Sequence, residues 1–319
     1  MLLGFDIGGT KCAIILGNEE NGSMHIKAKE VIPTGGPAYE MIDKLFFAAE
    51  NLLQQHALTT GDIAGIGISC GGPLSRRLGL ILSPPNLPGW DNIPMVQLTE
   101  KRFGKKVMMQ NDANAGAVAE WKYGAGRNCN NIIFLTFGTG MGAGLILDGR
   151  LYEGSSELAG EVGHIRLADI GPVGFGKAGS FEGFCSGGGI AQIAQMKVRQ
   201  KLQMGEPVSF CKSFDQLCGI TAKTVAAAAF AGDEVAIDIY NTCAAYLGKG
   251  LSLLIDILNP ERIVLGSIYG RAKPLLDPAM TKVIAEEALA GSRSVCEIVP
   301  AALGESIGDI AALTLAGMC

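Results

Sequence analysis

The chain has 319 residues, with 26 Lys and Arg against 31 Asp and Glu for a formal charge of −5, and its sequence pI is about 5.4. Length over roughly 150 residues per domain suggests two domains able to bury their own cores, and net acidity disfavours a nucleic-acid partner. Nine cysteines, an odd number with no C-x-x-C pair, argue against a disulfide framework or a zinc ribbon and fit a reducing cytosol.

The opening segment, Met1 to Gly9, has no basic residue ahead of its apolar stretch and reaches Asp6 at once, unlike a signal peptide. Mean hydropathy is +0.28, but no apolar run nears the roughly 18 residues of a membrane span. The expectation is a cytoplasmic protein with no membrane partner. Leu2–Phe5, the turn Asp6 to Lys11, then Cys12–Leu16 read as strand, tight turn, strand. Met41–His56 has helical periodicity, Ile63–Ile68 is a short buried strand, and Gly71-Gly72-Pro73 breaks it. Ser83 to Trp90 is a proline-stiffened extended loop. Val107–Gln110 reads as a strand, with a small-residue helix starting over Asn114–Trp121.

Ile132–Phe137, Gly138-Thr139-Gly140-Met141-Gly142 and Ala143–Leu147 repeat the opening plan. Two such units half a chain apart predict a duplicated architecture. The chain is then loop-rich to Gly189. Helices are expected near Ile190–Gln203, Ala222–Phe230 and Glu234–Leu258, a strand over Arg262–Leu265 after Asn259-Pro260, and a closing helix over Glu305–Leu315. Strands alternating with helices make this an α/β chain.

Glycine turns beside Thr, Lys and Asp suit a polyphosphate, because bare backbone lets amide N–H groups reach phosphate oxygens and Thr adds a donor. Asp6 would repel phosphate unless a Mg2+ lay between them, so it reads as a ligand of a metal–nucleotide complex. Either turn alone is equally readable as a plain hairpin. A dinucleotide fingerprint fails because Ala143 takes the third glycine position and a strand follows. The Walker-like run Gly171 to Lys177 ends in Ala178, with no hydroxyl for Mg2+. Asn111-Asp112 stands where a strand gives way to a helix, so Asp112 is either a catalytic base or a helix cap. Gly160-Glu161-Val162-Gly163-His164, with Glu182 farther on, has the donors and acceptors that hold polyols.

Together these motifs resemble the ROK family of the actin/hexokinase superfamily (repressors, open reading frames and sugar kinases) over essentially the whole chain. They are Asp6 to Lys11, Asn86-Leu87-Pro88-Gly89-Trp90, Asn111-Asp112, Gly138 to Gly142, Gly160 to His164, and Asn259-Pro260-Glu261 before Val264-Leu265-Gly266. The resemblance implies two actin-like (ribonuclease H-like) lobes with an interlobe cleft. Residues 1–116 plus the C-terminal helix 304–319 would form the small lobe, and 117–303 the larger one. It also implies Asp112 as base, with Asn86, Asn111, Glu161, His164 and Glu182 on the sugar. Asp6, Gly8, Gly9, Thr10, Lys11, Gly138, Thr139, Gly140 and Gly266 would face ATP and Mg2+. A homodimer is expected.

One departure stands out. The family usually places three zinc-binding cysteines after the His, and the corresponding positions here are Val173, Phe175 and Ser180. No structural zinc is expected, a small packed core of Val and Phe would take its place, and His164 would be oriented by hydrogen bonding. Ser267 stands where the family commonly has glycine. The expected activity is ATP-dependent phosphorylation of a hexose or N-acetylhexosamine at a primary hydroxyl. The alternatives are a sugar-responsive regulator or a non-catalytic sugar-binding relative. A regulator would need a DNA-binding module ahead of the first turn, and with the turn beginning at Asp6 none is expected.

Overall fold

A computed structural model describes residues 1–319. The chain forms two compact units, one of Met1–Asn128, Leu151–Glu157 and Ala302–Cys319, the other of Cys129–Arg150 and Leu158–Ala301. Residues 117–128 and 151–157 thus group with the first unit. No helix is long and apolar enough to cross a membrane.

The first unit's sheet runs in the order Ser23–Pro33, Lys11–Glu20, Leu2–Ile7, Gly65–Cys70, Val107–Asn111. Its first three strands are antiparallel and the last two join in parallel. The other five-stranded sheet repeats the plan with Arg150–Tyr152, Met141–Leu147, Ile132–Phe137, Arg262–Leu265 and Glu297–Pro300. Ile132–Phe137 again pairs antiparallel with the strand after its glycine turn and parallel with the strand on its other side. The duplication expected from the two glycine turns is present in the topology.

Central strands are apolar because both faces are covered. In the first unit, helix Ala38–Gln55 buries Met41, Ile42, Leu45, Phe46, Ala49, Leu52 and Leu53 at helical spacing. Phe5, Phe46 and Phe103 meet there, with ring centroids 5.3 to 6.2 Å apart. Helix Ile307–Ala316 packs on the same sheet over glycines. A methyl group added at Gly67 would stand 1.9 Å from the Ala312 carbonyl oxygen, and one at its cross-strand neighbour Gly4 would stand 2.9 Å from Ala312 Cβ. The entry to this helix is fixed by Glu120, a fully buried carboxylate that accepts hydrogen bonds from the backbone N–H groups of Ala125, Ala302 and Leu303 at 2.7, 3.2 and 2.9 Å.

The second unit is built around helix Glu234–Leu258, N-capped by Asp233 and ended by Asn259 in the left-handed region. Gly250 on this helix leaves room for the Phe181 ring, which a Cβ there would meet at 2.3 Å. That contact seats the short helix Phe181–Phe184.

Strand Ser23–Pro33 and helices Met95–Phe103 and Ile268–Glu287 carry no clear sequence signal. The strand is mostly exposed, with Met24 its one buried residue. Helix Met95–Phe103 is short, and Ile268–Glu287 contains Pro274 and Pro278 with a break at Ala272.

Gly67→Ala is expected to lower unfolding free energy by about 3 kcal/mol, since backbone must move to admit the methyl group. In urea denaturation Gly219→Ala, which meets nothing within 4 Å, should stay within about 0.5 kcal/mol of the parent.

Candidate active site

In the first unit, Asp6 lies in the last turn-ward positions of strand Leu2–Ile7, and the chain reverses through Gly8 to Lys11. Gly8 N–H donates to the Lys11 carbonyl at 3.1 Å. Thr34 clamps the turn from outside, its hydroxyl donating to the Gly8 carbonyl at 2.6 Å and its N–H to the Thr10 carbonyl at 3.1 Å. The Thr10 and Lys11 side chains are exposed. Asn86 abuts this turn, since a Cβ at Gly9 would stand 2.5 Å from the Asn86 carbonyl oxygen. Buried Leu87 and Trp90 anchor the loop that carries Asn86.

Asn111 and Asp112 divide the roles that the sequence leaves open. Asn111 is the cap, its Oδ1 accepting from Asn114 N–H at 2.7 Å. Asp112 Oδ1 accepts the neighbouring Ala113 N–H at 2.9 Å, the carboxylate's other backbone contact is with its own N–H, and no other residue binds Oδ2. Asp112 is open to solvent yet crowded by protein atoms, and this desolvation raises its carboxyl above the usual carboxylate range, against the pull of nearby backbone N–H groups. Behind it, Gln110 accepts from Asn111 N–H at 2.8 Å and donates to Glu153 at 2.8 Å, and Arg76 holds Glu153 with two hydrogen bonds.

The Asp6 carboxyl is pushed up to about 6, first by burial, then by the negative charges of Asp309 and Asp112. Lys29 pulls the other way but is committed to Asp309 at 2.6 Å. The structure therefore brings Asp6 and Asp112 into one under-neutralised acidic field. No group of three or more His, Cys, Asp or Glu side chains is arranged to hold a metal. An excess of carboxylate with few protein ligands suits Mg2+, which keeps waters and shares substrate phosphates.

In the second unit, Gly138 N–H donates to the Gly140 carbonyl at 3.1 Å, making the second turn, with Thr139 exposed at its tip. Gly187 N–H donates to the Gly138 carbonyl at 2.7 Å. The start of helix Gly187–Gln203, capped by Ser186 onto Gly189 N–H, therefore sits on the turn. Gly266 N–H bonds to the Leu135 carbonyl at 2.9 Å, and Ser267 Oγ stands 3.7 Å from where a Cβ on Gly138 would be. The Ser186 to Gly189 run was readable as another glycine cluster; Thr34 and Gln110 gave no signal.

The polyol candidates gather near the same turn. Glu161 occupies the N-cap position of the single turn Val162–His164 without a side-chain capping bond, and Glu182 Oε2 accepts from Met141 N–H at 3.0 Å. His164 is exposed. Its carbonyl accepts from Lys177 Nζ at 2.7 Å, and its ring meets Phe175 edge-on at 6.4 Å.

The expected core of Val173 and Phe175 is absent, with Val173 47% and Phe175 76% exposed. Polar pairing holds this segment instead. Val173–Gly174 pairs with Lys177–Ala178, and Gln192 exchanges two hydrogen bonds with the Val173 backbone, each 2.9 Å. Ser180 is buried and caps the following helix by accepting from Gly183 N–H at 3.1 Å.

The model of the ROK family matches residues 2–318. The chain belongs to the ROK family. Among ROK relatives, the glucokinase of Streptomyces coelicolor is 31% identical over 319 residues, 99% of this chain and 97% of that one. The solved ROK glucokinase of Streptomyces griseus, in complex with glucose and AMPPNP, is 28% identical with a TM-score of 0.79, covering 100% of this chain and 99% of that one. The xylose repressor of Caldicellulosiruptor bescii is 30% identical over 274 residues, 83% of this chain and 65% of the repressor. The bilobal ROK architecture of two sheet-centred units is thus shared.

Two outcomes follow from this ROK site. The Asp6 carboxyl is pushed up to about 6 when folded against an ordinary value of 3.8, so its ionised form costs stability once pH exceeds that range and nothing below it. Asp6→Asn should raise stability in metal-free buffer at pH 7.5 by up to about 3 kcal/mol, at 1.36 kcal/mol per unit. Thermal melts should show the gain shrinking toward pH 4.5. Ser267 has φ 46° and ψ −99°, so Ser267→Gly should stabilise by about 1 kcal/mol in the same assay.

Proposed function

We propose that the protein is an ATP-dependent kinase that phosphorylates a primary hydroxyl of a hexose or N-acetylhexosamine, with Asp112 as general base. The observation that carries this reading is the division at the strand end: Asn111 takes the cap and leaves Asp112 with an uncommitted carboxylate oxygen. Its raised pKa makes it a better base than a carboxylate at its ordinary value.

On this reading Asn86 and Asn111 bind the sugar, and Gly8, Gly9, Thr10 and Lys11 bind the phosphates. Glu161, His164 and Glu182 bind sugar hydroxyls, Gly138, Thr139 and Gly140 bind phosphates, and Gly266 is on the adenosine side. Asp6 would hold Mg2+, which when bound neutralises phosphate charge. Asp112 takes the proton of the sugar hydroxyl as its oxygen bonds to the γ-phosphorus. The bond from that phosphorus to the β,γ-bridging oxygen breaks, ADP leaves, and Asp112 returns its proton to water. The glucokinase relatives support sugar phosphorylation, and a homodimer is part of the proposal.

A sugar-responsive regulator is the second reading, favoured by the xylose repressor's likeness. The net charge of −5, the uncommitted Asp112 oxygen and both glycine turns favour the kinase.

An ADP-release screen over hexoses and N-acetylhexosamines tests the activity. Asp112→Asn should lower kcat about 10³-fold with little change in sugar KM. Near-full turnover by that variant would remove Asp112 as the base.

A further inference from the structure

Glu182 has two faces. Its Oε2 accepts the Met141 N–H at 3.0 Å, the amide that immediately follows the second glycine turn. Its Oε1 accepts no hydrogen bond from the chain, although the side chain is half-buried. Three bare glycines make this placement possible. A Cβ at Gly140 would stand 2.8 Å from Oε2, one at Gly163 would stand 3.2 Å from Glu182 Cβ, and one at Gly174 would stand 2.9 Å from it. The turn, the His164 segment and the hairpin at Val173 thus all close upon one side chain, the turn at its carboxylate and the other two at its Cβ. Its helix is itself fixed by the Ser180 cap and by the Phe181 ring set against Gly250.

We infer that Glu182 is a positioning residue that couples sugar occupancy to the phosphate-binding turn Gly138–Gly140, making sugar and nucleotide binding mutually reinforcing. This rests on the kinase reading above. A sugar hydroxyl donating to Oε1 fixes the carboxylate plane, and that plane orients the Met141 N–H and with it the tip at Thr139. Gly138 N–H bonds to the Gly140 carbonyl, so displacement at Met141 is transmitted around the whole turn. Coupling between two ligands is reciprocal, and the usual range is about 5- to 150-fold in affinity.

Calorimetric titration with Mg–AMPPNP, without sugar and at saturation with a sugar that the ADP-release screen identifies, provides the test. In the parent the sugar should tighten nucleotide binding about fivefold or more and Glu182→Ala should lose that gain, whereas a variant of a residue that only contacts sugar would keep the gain once sugar is saturating. Glu182→Gln, equal in volume and a weaker acceptor, should show a smaller loss in the same direction and covers the case that the alanine variant does not fold. Gly140→Ala, whose methyl group displaces Oε2, should weaken glucose binding measured without nucleotide. Hydrogen exchange adds a readout independent of any sugar: peptides spanning residues 160–184 should gain protection on AMPPNP addition in the parent and not in Glu182→Gln. A parent whose nucleotide affinity does not respond to sugar, or Glu182 variants that keep the full response, overturns the coupling. A parent protein that binds neither AMPPNP nor any hexose overturns the kinase reading instead.

Discussion

The glycine floor beneath helix Ile307–Ala316 is the constraint on which the first unit depends. Gly4 and Gly67 let helix backbone descend to a depth that any side chain would forbid. At that depth the helix start crowds strand Leu2–Ile7: a Cβ on Gly308 would stand 2.4 Å from Asp6 Oδ2. Asp309 arrives beside Asp6 and raises its pKa, and Lys29 is drawn off to Asp309. A packing requirement thus sets the electrostatics. The carboxylate is left poorly solvated and under-neutralised, which disfavours the isolated fold and favours a bound cation.

The second unit uses the same device on a smaller scale. Glycines at 140, 163 and 174 allow three segments to meet at Glu182. The second turn also has the start of helix Gly187–Gln203 and the Gly266–Ser267 backbone set around it. At Ser267 the chain accepts a backbone conformation that suits glycine. The polar hairpin at Val173 shows how a segment of this family can be held without thiolates. Gln192 and Ser180 supply hydrogen bonds at the positions where a packed pair of side chains was expected.

Much of the fold was legible because its signals are local. Ile132–Phe137, Ala222–Phe230 and Glu234–Leu258 are bounded by turns and caps that adjacent residues specify, and the paired glycine turns betray the duplicated sheets. Strand Ser23–Pro33 was not, because its side chains alternate with no buried face to mark them. Helix Ile268–Glu287 was hidden by two prolines, the first tolerated because the helix restarts beyond Ala272. At the site, residue types pointed to phosphate and polyol chemistry. Whether Asn111 or Asp112 caps the helix, and which backbone amide Glu182 meets, depend on contacts that no spacing encodes.

Glu120 binds amides from both the end of helix Asp112–Tyr123 and the approach to helix Ile307–Ala316. One of these helices begins with Asp112; the other begins beside Asp6. A single rivet far along the first helix therefore sets the spacing of two acids it never touches. Sequence drift among residues 302–306 would be felt first in that spacing, well before the unit lost its shape.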